Sequence, residues 1–270
     1  MEFLRKAVIV TGSSQGIGKA IALNFAKLGA NVLIHGRNES ALKATQHECR
    51  TVGQPDAKFP IVRGDILKNE TMKSIVDEAM TEFSRIDVLV NNAGGAKQMG
   101  SILDATMTDL DYELNIHFKV PLHMTQLSYP ELKKTQGNIV NISSFLGVRP
   151  NTTIPFYTMS RAALNMFTQC AALEFSPDGV RINAVAPGYV ETNVFLNMGF
   201  VSTIQEQKDI HTGAAKAVPL RKLATVEDVA KAVVFTASSP SMQGEILVLD
   251  GGHSLVGQDA ETLANAAKCN

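Results

Sequence analysis

The sequence predicts an α/β fold: a doubly wound, seven-stranded, mostly parallel sheet with helices on both faces. Three observations carry the prediction. Short β-branched runs alternate with longer segments of helical period along most of the chain. Most of these runs are apolar throughout instead of alternating, as strands covered on both faces should be. A glycine-rich turn, Thr11 to Gly18, joins the first strand to the first helix.

In chain order the strands are expected at Ala7–Val10, Asn31–His35, Lys58–Val62, Val88–Asn91, Asn138–Ile142, Arg181–Ala184 and Ile246–Leu249. Between them, apolar residues at helical spacing predict helices over Gly16–Leu28, Ser40–Val52, Glu70–Ser84, Leu110–Leu132, Tyr157–Phe175 and Val226–Ala237. Thr225 and Asp228 have the spacing of a capping box at the start of the last helix. There is no internal repeat and no linker rich in Pro, Gly or Ser, so residues 1–270 are expected to form one domain. Gly188 to Lys222 has no clear period. A segment that long in a compact domain commonly covers a site, so a substrate lid is expected at 188–222.

Composition narrows the function classes. Apolar residues make up 45% and charged residues 19%, a globular mixture, and the net charge is −1 without any run of like charges. A nucleic-acid partner has no electrostatic support. Cys49, Cys170 and Cys269 form no CxxC pair and sit near no histidine cluster, so neither a disulfide framework nor a metal site is expected. Arg5 and Lys6 precede an apolar run that is too short for a signal peptide. No stretch approaches the ~20 apolar residues of a membrane span. A cytoplasmic protein without membrane partners is expected.

Within the glycine-rich turn, Gly12 permits the tight bend, Gly16 lets the backbone approach a pyrophosphate, and Gly18 lets the helix pack closely on the sheet. The free N–H groups and the positive dipole end of that helix then face the phosphates. This is a Rossmann-type dinucleotide site.

The spacing Thr-Gly-x-x-x-Gly-x-Gly resembles that of the short-chain dehydrogenases/reductases, and the likeness runs from about Lys6 to Gly252. Asn91-Asn92-Ala93-Gly94 matches the family's NNAG, and Pro187-Gly188, with Thr192 beyond, matches its PG turn. Glu245 to Gly252 matches its last strand. By resemblance the cofactor is held by Gly12, Ser14, Gln15, Gly16, Ile17, Gly18, Arg37, Asp65, Asn92, Ala93, Gly94, Tyr157, Arg161, Pro187, Gly188, Val190 and Thr192. Asp65 is expected against the adenine, and Asn91 as a support of the sheet. At the end of the second strand, where a carboxylate would hold the adenosine ribose and reject a 2′-phosphate, stands Gly36, followed by Arg37. A guanidinium there favours the phosphate, so NADP(H) is expected over NAD(H).

The family's serine, tyrosine and helix asparagine match Ser144, Tyr157 and Asn115. Ser143 is the neighbour with which Ser144 is easily confused. The family's Tyr-x-x-x-Lys, however, is Tyr157-Thr158-Met159-Ser160-Arg161. A free phenol titrates near about 10, and a cation one turn along the same helix face favours its ionised form. In carbonyl reduction the phenol donates a proton to the forming alkoxide. The resemblance implies that Ser144 holds the carbonyl oxygen and that Asn115 positions a water. Arg161 keeps the charge of the lysine in a planar, different shape, so a slower enzyme with a retuned pH dependence is expected.

Met99, Ile102, Phe145, Leu146, Ile154, Phe156, Tyr189, Phe195, Leu196, Met198 and Phe200 are expected to line an apolar pocket suited to an aliphatic or aromatic carbonyl. The substrate side is thus a small-molecule carbonyl or alcohol. His117 and His123 are expected on a helix surface or interface. The resemblance implies pairing of the long helices in a homo-oligomer, a dimer or tetramer. Two other readings remain open at this point. One is a catalytically weak NADP(H)-binding sensor or scaffold, with Arg161 marking lost chemistry. The other is an NAD-dependent alcohol or hydroxysteroid dehydrogenase.

Overall fold

The structure, a computed structural model, describes residues 2–97, 99–197 and 199–256. Met198, Cys269 and the C-terminal extension 257–270 lie outside the described residues. The chain runs β1 (Ala7–Val10), α1 (Gly16–Lys27), β2 (Asn31–Gly36), α2 (Glu39–Val52), β3 (Ile61–Arg63), α3 (Asn69–Phe83) and β4 (Val88–Asn91). It continues through α4 (Met107–Leu114), a π-turn (Asn115–Lys119), α5 (Val120–Thr135), β5 (Asn138–Ile142), a 3₁₀ turn (Phe145–Gly147) and α6 (Pro155–Phe175). The last part is β6 (Arg181–Pro187), α7 (Val194–Asn197), α8 (Ile204–Ala217), α9 (Val226–Ser238) and β7 (Ile246–Leu249).

The seven strands form one sheet in the order β3-β2-β1-β4-β5-β6-β7, and every pairing is parallel. Alternate residues of each central strand feed opposite layers, as the two-residue side-chain period requires. Val8 and Val10 of β1, Val88 and Val90 of β4 and Val140 of β5 join Ile21, Phe25, Leu42, Val229 and Val233 of α1, α2 and α9. Ile9, Leu89 and Ile139 point the other way, onto Met72 and Ile75 of α3, Met124 and Leu132 of α5, and Ala171 and Phe175 of α6. Two buried layers explain why these strands show no polar alternation in sequence.

Three expectations are corrected. The third strand lies at Ile61–Arg63, not Lys58–Val62, because residues 58 and 60 only lend carbonyls to Val32 and Ile34 before the ladder begins. The single helix expected over Leu110–Leu132 is broken by the π-turn, where the N–H of Val120 reaches back five residues to the carbonyl of Asn115. Such wide turns are frequent at functional sites. The segment without clear period, 188–222, holds α7 and α8. A capping box starts α8, in which Thr203 accepts from the N–H of Glu206 and Glu206 bonds the N–H of Thr203. The expected capping box of Thr225 and Asp228 is present at α9. Among the described residues no helix is long and apolar enough to cross a membrane.

The strand order reverses between β1 and β4, so their carboxyl ends leave a crevice between them, the usual ligand position in open α/β sheets.

Candidate active site

The glycine loop and the segment after β4 are built against each other at this reversal. Thr11 Oγ1 accepts from the N–H groups of Asn92 and Ala93, each at 3.0 Å. The Asn92 amide donates back to the carbonyls of Thr11 and Gly12, at 2.8 and 3.0 Å. Gly12 has φ +65°, and a Cβ there would stand 2.8 Å from the α-carbon of Ala93. A Cβ on Gly18 would meet the Gly12 carbonyl at 2.3 Å and the Asn92 amide at 2.4 Å. Gly18 therefore packs the helix onto the loop itself, not onto the sheet as its position in the motif suggests.

Gly16 differs. It also has positive φ, +56°, but a Cβ there would meet only the Thr192 methyl, at 3.8 Å. No other atom of the described residues stands within 4 Å of that position, beside the start of α1, which no side chain caps. Backbone N–H groups and a helix dipole left uncapped suit a diphosphate, so these residues fit a dinucleotide. Gln15 is exposed, and Ile17 packs partly into the core.

His35, which sequence reading missed, braces this loop. Its Nδ1 accepts from the N–H of Gly12 at 3.2 Å, and its Nε2 meets the Gly64 carbonyl at 3.2 Å. Nδ1 is thus the bare nitrogen and Nε2 carries the proton. Burial pushes the imidazole down to about 4. Its only sequence signal is a polar residue inside an otherwise apolar buried strand.

At the adenosine end, a Cβ on Gly36 would stand 2.9 Å from Ser14 Oγ, so Ser14 occupies the room a carboxylate would need. Arg37 is exposed at the end of β2. The nearby carboxylate of Glu39 is held by Lys43 at 2.7 Å and Arg63 at 3.1 Å. The hydrogen bond from Lys43 keeps that carboxyl below its ordinary range. Asp65 accepts from the N–H of Leu67 just after β3.

On the other side of the crevice, β5 delivers Ser143 and Ser144. Ser143 Oγ donates to Asn165 Oδ1 at 2.6 Å within α6 packing. Ser144 is buried and accepts from the N–H of Leu146 at 3.2 Å, capping the 3₁₀ turn. The two serines are thereby separated by structure. Tyr157, half-buried, stands in the first turn of α6. Arg161, one turn on and only 7% exposed, donates from Nη1 to the Ile142 carbonyl at 2.8 Å. The guanidinium lies over the Tyr157 ring, 4.9 Å from its centre. Arg161 thus spans from the tyrosine to the end of β5, two residues before Ser144. Asn115 opens the π-turn, half-buried, on the helix facing α6. As expected, Asn91 supports the sheet, donating to Asn141 Oδ1 at 2.9 Å.

Pro187 ends β6, and the N–H of Gly188 is bonded to the Leu249 carbonyl at 2.9 Å. Val190 forms a lone parallel bridge with Ala224. Phe145, Leu146 and Phe156 are buried, and Phe145 meets Tyr189 at 5.7 Å. Met99 and Ile102 stand about half exposed on their loop. His253 stacks on Phe145 and Tyr189, at 4.9 and 5.4 Å, adding a wall that sequence reading did not assign. His117 overturns the surface expectation. It has no exposure and meets Tyr157 edge-on at 5.0 Å. His123 is half-buried and pairs with exposed Gln126.

The fold and the chain have counterparts among known proteins. Residues 12–254 match the family model described as enoyl-(acyl carrier protein) reductase. The chain is 34% identical over 256 residues to oxidoreductase UcpA of Salmonella typhimurium, covering 93% of this chain and 95% of that protein. It is 32% identical over 254 residues to 3-oxoacyl-[acyl-carrier-protein] reductase FabG of Chlamydia muridarum, covering 92% and 97%. A Caenorhabditis elegans short-chain dehydrogenase/reductase of unknown function, solved with cofactor, superposes with a TM-score of 0.90 at 31% identity, over 96% of this chain and 98% of that one. The chain belongs to the short-chain dehydrogenase/reductase family, whose members use a nicotinamide cofactor.

Proposed function

We propose that the protein is an NADP(H)-dependent oxidoreductase that reduces the carbonyl of a small-to-medium apolar ketone or aldehyde. The observation that supports this reading is the span of Arg161 from the Tyr157 ring to the Ile142 carbonyl, two residues before Ser144. A scaffold that only binds a dinucleotide has no need of that arrangement.

Gly12 to Gly18, Asn92 to Gly94, and Pro187 to Thr192 hold the cofactor across the crevice. When bound, the reduced nicotinamide supplies the hydride. The phenol of Tyr157 gives its proton to the carbonyl oxygen as that oxygen gains negative charge. The Ser144 hydroxyl donates a hydrogen bond to the same oxygen and orients the carbonyl. Arg161 keeps a positive charge against the tyrosine throughout, since a guanidinium does not deprotonate. Asn115 positions a water that returns a proton to Tyr157.

The preference for a 2′-phosphate is supported by Gly36, against which Ser14 packs, by exposed Arg37, and by the engagement of Glu39 with Lys43 and Arg63. Phe145, Leu146, Phe156 and Tyr189 offer apolar walls that suit an uncharged carbonyl better than a phosphorylated sugar. The helices α7 and α8 act as the lid within 188–222, over a single domain. A homo-oligomer in the cytoplasm completes the reading.

The test is NADPH consumption with a panel of ketones, aldehydes and diketones, for wild type beside Arg161→Lys. Turnover by wild type supports the reductase. If only Arg161→Lys turns over, the site is right and the arginine has disabled it. Silence from both, with NADPH bound, overturns the reductase in favour of a binding protein.

A further inference from the structure

Beside the site just described lies a carboxylate buried together with an imidazole, and neither has solvent exposure: Glu113 at the end of α4 and His117 one turn on, in the π-turn. Glu113 Oε1 accepts from the N–H of Lys97 at 2.8 Å, and Oε2 lies 3.2 Å from His117 Nε2. Nε2 also meets the Gly95 carbonyl. Both neighbours are acceptors, so Nε2 carries the proton and Nδ1 presents a lone pair.

Among the described residues that lone pair has no hydrogen-bond partner, and neither has the buried Nε of Arg161. One is an acceptor and the other a donor, and their side chains crowd the same backbone. A Cβ on Gly94 would stand 3.3 Å from His117 Nδ1 and 3.1 Å from Arg161 Nη2. Both side chains also hold Tyr157: the imidazole edge-on at 5.0 Å and 82°, the guanidinium over the ring at 4.9 Å.

We propose that His117, held by Glu113, is a positioning residue for Arg161, keeping the guanidinium on the ring of Tyr157 and so letting an arginine stand where the family has lysine. A buried guanidinium needs a counter-charge and a bounded space. Glu113, 3.2 Å from His117, supplies the charge, and the neutral imidazole supplies the boundary without adding a like charge. The charged or titratable groups facing His117 are Glu113 on its own helix segment and Arg161 and Tyr157 on α6. Among the described residues of the segment after β4 it meets the Gly95 carbonyl, while Lys97 carries its ammonium over the Tyr112 ring, 5.4 Å from its centre. Burial and the charge of Arg161 hold His117 neutral, down to about 4, against the pull of Glu113. The inference rests on the reading of Tyr157 and Arg161 as the reacting pair.

Two measurements test it. In protein labelled with ¹⁵N-histidine, the His117 signal of wild type should remain that of the neutral Nε2–H tautomer down to roughly pH 5. In Arg161→Met the titration should move up by about one unit, because only burial then opposes the Glu113 carboxylate. An unchanged His117 signal in Arg161→Met overturns the proposal.

The kinetic arm uses His117→Phe, which keeps a ring against Tyr157, and Glu113→Gln, which keeps the shape. Each should lower kcat about tenfold in the wild-type background and less than about twofold in the Arg161→Lys background, with the NADPH dissociation constant unchanged. Equal losses in the two backgrounds mean that His117 acts without Arg161, and they too overturn it. The spectroscopic arm needs no turnover. A wild type that binds NADPH but reduces nothing therefore overturns the proposed function without deciding the pairing of His117 with Arg161.

Discussion

The guanidinium of Arg161 faces the ring of Tyr157, not its hydroxyl: the guanidinium carbon stands 4.9 Å from the ring centre, and Nη1 is committed to the Ile142 carbonyl at 2.8 Å. A cation so placed is attracted by the electron-rich face of the ring. The bond to the end of β5 thereby limits where the guanidinium can stand.

Removing the cation should cost more than exchanging it. Arg161→Met is expected to lower kcat/KM by about a hundredfold and to weaken NADPH binding, because charge and donors are both lost. Arg161→Lys should change kcat/KM by less than about tenfold. Steady-state kinetics with NADPH fluorescence titration checks both.

The two serines should separate cleanly. Ser144→Ala is expected to reduce kcat by about a hundredfold while leaving the melting temperature near wild type, since its Oγ serves only a short 3₁₀ turn. Ser143→Ala should do the reverse, costing about 1–2 kcal/mol of stability by orphaning buried Asn165 Oδ1. Thermal unfolding beside kinetics reads out the pair.

The adenosine end predicts a change of cofactor preference. Arg37→Glu should lower the ratio of NADPH to NADH affinity by about tenfold or more, through repulsion of the 2′-phosphate. Gly36→Asp should weaken both cofactors, because its Cβ would fall 2.9 Å from Ser14 Oγ. Gly36→Asp with Ser14→Gly should recover NADH binding. Dissociation constants for the two cofactors decide it.

His35 predicts an acid-side loss of stability. Its folded-state pKa, about 4, lies below the ordinary 6.5, so above pH 6.5 the imidazole is neutral folded or unfolded and contributes no slope. As the pH falls below 6.5, the unfolded chain takes up a proton that the folded protein refuses, and stability declines until about pH 4. Between pH 6.5 and 5 that loss is about 2 kcal/mol. His117, depressed likewise by burial and by Arg161, adds a loss of the same sign. Urea unfolding at pH 7.5 and 5 should show a smaller decline for His35→Asn than for wild type.

What the sequence by itself determined were the features written in local pattern. β1, β4, β5 and β7 lie at the expected residues because a short apolar run needs only its own composition to become a covered strand. The glycine loop was legible because positive φ at Gly12 and Gly16 restricts which residue can stand there. The pairing of Tyr157 with Arg161 was legible from a four-residue step along one helix.

Tertiary structure alone decided the features that depend on distant chain. β3 shifted because its ladder is set by β2. The break at Asn115 lies where α4 and the π-turn pack on α6, and a helical repeat in sequence does not reveal it. His35 and His117 read as ordinary polar residues until packing buries them and carbonyls as far off as those of Gly64 and Gly95 fix their tautomers. The direction of Arg161 was equally hidden. A long cation can reach many partners, and the Ile142 carbonyl, nineteen residues earlier in the chain, is the one that packing presents.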